Sequence, residues 1–166
     1  ALYLPDLGAP QERSLAQVSG YAYPYISPWA LGQTLPFLTE LPIFSYGFTE
    51  EGWLVPPGTA EGWMIEMCRV RSVIPFLTLT PLDERGEFNN ALITSVVWDT
   101  AAGDRLILEL VRTMQEKGYG GVDIDFEYIR GEDRDAFTEF VRRAAVIIHE
   151  FGFRVSIALA PKTSAS

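Results

Sequence analysis

Cysteine, histidine and lysine are scarce in this chain. Among 166 residues there is one cysteine, one histidine and two lysines (Lys117 and Lys162), and the net charge is −9. A lone Cys68 excludes an intrachain disulfide and a cysteine-rich zinc site. Within the helical-looking stretch 60–70 it reads as a small buried hydrophobe. There is no basic run, which argues against a nucleic-acid partner, because such a surface needs clustered Lys and Arg. Nothing resembles a signal peptide, and no run is long and apolar enough for a membrane span, so export stays open. His149 falls near the end of a helical stretch, where it suits the helix dipole better than a substrate. Internal repeats and low-complexity segments are also lacking. With 48% hydrophobic and 21% charged residues, the composition is that of a folded chain with one well-buried core. The acidic balance is compatible with a neutral substrate such as a polysaccharide but does not identify one.

What the chain does have is alternation between short apolar runs and amphipathic stretches. Residues 1–16, rich in Pro, Gly and polar side chains, read as a lead-in or linker to a domain over 17–166. Strands are expected at 18–23, 41–48, 72–80, 120–127 and 153–159, with a small hairpin excursion around 52–55. Helices are expected at 28–40, 60–70, 89–97, 101–117 and 132–151. Asp99 or Thr100 can cap the fourth helix and Gly118 can end it. In the fifth, Phe137, Phe140, Val141, Ala144, Ala145 and Ile148 keep the spacing of one buried face. The β-α alternation predicts a parallel sheet with helical crossovers, either open and doubly wound or part of a (β/α)8 barrel.

The segment Gly-Gly-Val-Asp-Ile-Asp-Phe-Glu-Tyr at 120–128 separates the two. Asp123, Asp125 and Glu127 occupy every second position, with Val122, Ile124 and Phe126 between them. On a strand the three acids form one column, neighbours about 6.6 Å apart, and the apolar residues face the other way. Gathering like charges is costly, since each disfavours ionisation of the next. In an open sheet covered by helices on both faces the acids would be buried without partners. In a barrel they point to the axis, with Glu127 at the C-terminal mouth, where barrel enzymes do their chemistry. The fold class expected is therefore α/β, a parallel barrel of the TIM type of which the first five strands are present.

This acid segment resembles the Asp-Gly-x-Asp-x-Asp-x-Glu signature of family 18 glycoside hydrolases, the chitinase-like (β/α)8 enzymes. Gly20-Tyr21-Ala22-Tyr23-Pro24, Phe44-Ser45-Tyr46-Gly47-Phe48, Lys117-Gly118-Tyr119 and the stretch from Ala158 to Ser164 are similar to the spore-cortex-lytic and spore-germination branch. The resemblance implies that Glu127 is the catalytic acid, protonating the glycosidic oxygen and later activating water. Asp125 would hold the 2-acetamido group of the substrate, and Asp123 would share a proton or hydrogen bond with Asp125. It also implies substrate-assisted retention on β-1,4-linked N-acetylhexosamine polymers, cortex peptidoglycan or chitin, with no cofactor or metal. The place of action would be extracellular, at the cell wall or spore. One position departs from the signature: its first Asp is Gly120 here.

Other readings stand beside this one. The column could be a structural hydrogen-bond network or hold a divalent cation. Tyr46, Tyr128, Tyr23 and Phe48, with Tyr21, lie near strand ends, where rings stack on sugars and where core aromatics also sit. The four first named are the substrate-binding candidates. Trp53 in the hairpin suits an exposed platform, whereas Trp29, Trp63 and Trp98 suit helix packing. Gly118-Tyr119-Gly120-Gly121 lacks the Lys-Ser/Thr of a phosphate loop. Asp133 and its charged neighbours read as a helix start. Five strands are about five-eighths of a barrel, so a fragment of a longer enzyme, or self-association through open sheet edges, is expected. A sugar-binding module without catalysis is the alternative function.

Overall fold

Helices and strands alternate as expected in the computed structural model, which describes residues 16–159. The elements are α1 (Pro28–Thr34), β1 (Glu40–Phe48), β2 (Leu54–Val55), α2 (Gly62–Val70), β3 (Ile74–Leu79), α3 (Ala91–Trp98), α4 (Thr100–Lys117), β4 (Gly121–Asp125), α5 (Arg134–Glu150) and β5 (Arg154–Ala158). Together the strands form one sheet of order β2-β1-β3-β4-β5, with β1, β3, β4 and β5 parallel and β2 antiparallel to β1. The lead-in at 1–15 and the stretch from Ala160 to Ser164 fall outside the described residues.

The expected first strand, 18–23, is reduced to two isolated parallel bridges to β1, Ser19 to Glu40 and Ala22 to Ile43. Backbone bonds flank the gap: Glu40 N–H to Val18 O at 3.2 Å, Ala22 N–H to Pro42 O at 3.0 Å and Phe44 N–H to Ala22 O at 2.9 Å. The missing rung would need an amide hydrogen on residue 42, and proline has none. The first helix is also shorter than expected. Ser27 Oγ accepts from Ala30 N–H and Pro28 starts the helix, but Pro36 turns its end into a short 3-10 segment at Leu35–Phe37.

Both anticipated signals frame α4. Asp99 accepts from the amides of Ala101 and Ala102, and Gly118, at φ +87°, closes the helix through its N–H to Met114 O. Leu106, Leu110 and Met114 of α4 share one core with Phe140, Ala144 and Ile148 of α5 and with Leu77, Leu79, Val122 and Ile124 of the sheet. Cys68 is buried in that core, and burial pushes its thiol up to about 12. The opposite side chains of the sheet, Glu40, Phe76 and Asp123, line a cavity of about 640 Å³ with Tyr21, Arg154 and Ser156; His149 reaches it from the last turn of α5.

Candidate active site

The ladder of β4 ends at Asp125, but its alternation continues two residues further. Phe126 is buried, its ring 5.5 Å from Phe48 and 5.8 Å from Phe137, while Glu127 stands exposed beyond the strand end. The acids therefore run outward in steps of exposure: Asp123 at 2%, Asp125 at 8% and Glu127 in solvent. Glycine at 121 belongs to this geometry. A Cβ there would lie 2.8 Å from both Arg154 O and Phe76 Cε2. At Gly120, where the signature has Asp, a Cβ would come 2.4 Å from Ile74 Cγ2, so Ile74 occupies the space such a side chain needs.

Asp123 is fully tied down. Tyr21 Oη donates to Asp123 Oδ2 at 2.8 Å and Ser156 Oγ donates to Oδ1. Burial first, and the bond to Asp123 second, hold the Tyr21 hydroxyl above its usual range. Asp125 is different. Its Oδ1 is buried with no hydrogen-bond partner among the described residues, and the same holds for Thr78 Oγ1 on the neighbouring strand and Thr80 Oγ1 just past its end. Thr78 pairs in register with Asp123, which puts these hydroxyls beside the acid column. Burial raises the Asp125 carboxyl, and the charges of Glu127 and Asp123 raise it further, which favours a proton there. A buried polar atom without a partner costs about 1–3 kcal/mol, so Asp125 Oδ1 is left unpaired at a cost to the fold.

The aromatic candidates divide. Tyr23 is half exposed and its ring stacks on Tyr25 at 5.0 Å; Tyr128 is 70% exposed next to Glu127. Tyr46 and Phe48, in contrast, are core residues and present no ring to solvent. Their burial has a local cause. Ile43 pairs with Leu77 and Tyr46 with Leu79, so three steps along β1 match two along β3. That bulge reverses which face the later residues of β1 occupy and turns Tyr46 and Phe48 toward the helices. Tyr46 Oη then donates to Glu61 Oε1 at 2.6 Å, alongside Lys117 Nζ at 2.6 Å.

Two of the four tryptophans depart from expectation, while Trp63 packs against the core as expected. Trp29 and Trp98 are largely exposed rather than packed, and Trp98 Nε1 donates to buried Asp133 at 2.7 Å. Asp133 also accepts from Thr94 Oγ1 at 2.6 Å, so this helix-start acid ties α3 to α5. Trp53 is half exposed, with the Arg105 guanidinium 4.9 Å from its ring centre. Ser156 and Tyr25 escaped the sequence reading. Ser156 could have been found from the parity of the fifth strand, since it pairs with Asp123 in register. Tyr25 lies in a loop, where no periodicity marks it. Among the described residues no cluster of three His, Cys, Asp or Glu side chains could hold a metal ion, and no helix is long and apolar enough to cross a membrane.

No family model matches the chain. Individual proteins do. A cortical fragment-lytic enzyme of Bacillus subtilis is 31% identical over 137 residues, which are 82% of this chain and 31% of the relative. The crystal structure of the Bacillus cereus spore cortex-lytic enzyme SleL superposes with a TM-score of 0.80 at 26% identity, covering 90% of this chain and 35% of that one. A class V chitinase from Pseudomonas fluorescens gives 0.79 and 26%, covering 90% and 46%. The chain thus spans about a third of the length of the curated relatives it matches. Its homologues are spore cortex-lytic proteins, and its fold is shared with chitinases, which bears out the resemblance seen in the acid segment.

Proposed function

We propose that this homologue of spore cortex-lytic proteins is the part of a (β/α)8 glycoside hydrolase that carries the catalytic acids. The substrate is a β-1,4-linked N-acetylhexosamine polymer; the names of the relatives favour cortex peptidoglycan over chitin and support action at the spore or outside the cell. The observation that supports this most is the graded column: Asp123 pinned by two donors, Asp125 with a buried free acceptor oxygen, and Glu127 open to solvent at the strand end. The core gathers on the Leu77–Val122 side of the sheet while the acid side faces a cavity, which suits a barrel axis better than a second helix layer.

In this reading Glu127 gives its proton to the glycosidic oxygen as the bond to the anomeric carbon breaks. The carbonyl oxygen of the substrate's own acetamide attacks that carbon, forming an oxazolinium ring. Asp125 accepts the acetamide N–H, which orients the carbonyl and balances the charge that develops on nitrogen. Glu127, now a carboxylate, takes a proton from water, whose oxygen opens the ring and restores the configuration. Asp123, whose two oxygens are taken by Tyr21 and Ser156, acts on Asp125 through its charge and not through the shared hydrogen bond expected of it. Tyr23 and Tyr128 offer exposed rings for sugar contact.

Glu127→Gln tests this directly. Turnover of a chromogenic N-acetylglucosamine oligomer should fall by about 10²–10⁴, the usual contribution of a general acid, while oligomer binding persists. Undiminished hydrolysis would remove Glu127 from the role. Binding without turnover in the unmodified full-length enzyme that contains this part would point instead to a sugar-binding module.

A further inference from the structure

Glu127 is carried on a segment that the sheet does not hold. The ladder of β4 stops at Asp125, α5 starts at Arg134, and residues 127–132 are exposed apart from half-buried Ile129. Among the described residues, the backbone bonds of this stretch are local turns, Asp133 N–H to Arg130 O at 3.0 Å and Arg134 N–H to Gly131 O. Its two ends are fixed. At one, Phe126 lies between the rings of Phe48 and Phe137. At the other, Asp133 is 1% exposed and accepts from α3 with both carboxylate oxygens, Oδ2 from Thr94 Oγ1 at 2.6 Å and Oδ1 from Trp98 Nε1 at 2.7 Å. The dipole of α5 accounts for an acid at its start. It does not account for where the oxygens point, since Asp133 makes no side-chain bond to the first amides of α5, the usual task of an acid there. Nor does α3 need the tie in order to dock. Leu92, Ile93, Val96 and Val97 already bury its inner face in the core. Trp98 is 62% exposed, so much of its ring lies in solvent and its indole N–H is the part the structure uses. Hydrogen bonds to a carboxylate are short and directional, so this pair fixes where the chain enters α5.

We propose that Asp133, gripped by Thr94 and Trp98, is a positioning residue for Glu127: it clamps the far end of the 126–133 segment and so sets where the exposed carboxyl stands beside Asp125. This rests on the glycosidase reading above, in which Glu127 hands over the proton. That transfer needs the carboxyl within hydrogen-bond reach of the glycosidic oxygen, and a displacement of about 1 Å can cost a factor of about 10². Phe126 alone leaves the segment a pivot at its near end; the tie to α3 removes that freedom. Thr94 and Trp98 act on the reaction only through Asp133.

Thr94→Val combined with Trp98→Phe removes both donors; valine matches the shape of threonine, and the exposed Trp98 loses little packing. In the full-length enzyme that contains this part, the double variant should lower kcat on a chromogenic N-acetylglucosamine oligomer about tenfold and leave KM unchanged, the mark of lost orientation rather than lost binding. Thr94→Ser, which keeps a hydroxyl, should retain the parent's kcat. Amide hydrogen exchange gives a readout independent of turnover. Exchange at Asp133 and Arg134, whose amides close the turn, should quicken about tenfold in the double variant while α3 and the later turns of α5 keep their protection. Unchanged exchange at those two amides, or faster exchange spread through both helices, overturns the proposal and leaves Asp133 a helix tie. Parental kcat in the double variant, or a change in KM alone, overturns it too, while loss of hydrolysis in Glu127→Gln keeps the glycosidase reading standing. Hydrolysis undiminished in Glu127→Gln removes both.

Discussion

Two buried carboxylates in this molecule have opposite surroundings. Glu61, at the start of α2, receives Tyr46 Oη and Lys117 Nζ at 2.6 Å each, with Tyr119 Oη at 3.5 Å. Burial alone would raise its carboxyl, yet the bonds from Lys117 and Tyr46 outweigh it and hold the group below its ordinary value. The surrounding tyrosines shift the other way: burial and the bond to Glu61 push Tyr46 up to about 12. Asp125, about as buried, has two acids for neighbours and an oxygen without a donor, and its carboxyl is raised. An acid that serves the fold is given its cation and its donors. Under the proposed function, one that serves a ligand is left short of both, and the fold bears the cost.

That contrast can be broken most visibly at Asp125. Asp125→Asn should lower turnover by a factor of about 10² or more, because the amide no longer supports the developing charge, yet raise the melting temperature at neutral pH. A variant that is both inactive and less stable would make Asp125 a structural acid like Glu61. Next in size is Glu61→Gln. It weakens the acceptor for two buried hydroxyls and should cost about 1–3 kcal/mol in denaturant unfolding, with turnover unchanged; lost activity at full stability would contradict the division.

Acid titration should sharpen the same pair. Asp125, raised on folding, contributes stability that is present below its ordinary value near 3.8 and is lost as pH rises through its folded value. Glu61, lowered on folding, contributes stability that is present above its ordinary value near 4.5 and is lost as pH falls through its folded value. The gain from Asp125→Asn should therefore fade as pH drops from 7 toward 4, while the loss from Glu61→Gln should persist until lower pH. Melting curves that move in parallel across that range would refute the assignment. The smallest effect is expected at Arg142 and Glu139, an exposed pair one helical turn apart. Glu139→Ala should leave the melting temperature unchanged within error.

Much of this was legible in the chain itself. The period-two acids at 123, 125 and 127 set the face of β4, and Asp99 with Gly118 set the ends of α4. Where the reading failed, a nonlocal partner decided. Pro42 removes a rung that residues 18–23 alone do not reveal as missing, and the bulge before Tyr46 reverses a face that strict alternation would have kept. The Glu61 cluster joins residues 15 and 56 positions apart through side-chain ends, so no local pattern announces it. The acid column was visible because its meaning lies within one strand; the two Asp123 donors, 102 and 33 residues away, were not.

The crowding between Gly120 and Ile74 imposes an order of events on any variant that would carry an acid at position 120. With Ile74 in place, a side chain at 120 begins with a 2.4 Å collision against a branched methyl. A smaller residue at 74 must come first, as a step that on its own trims a half-buried side chain at the start of β3. A side chain at 120 is compatible only after that change, so the two positions are coupled and the glycine is held in place by its neighbour.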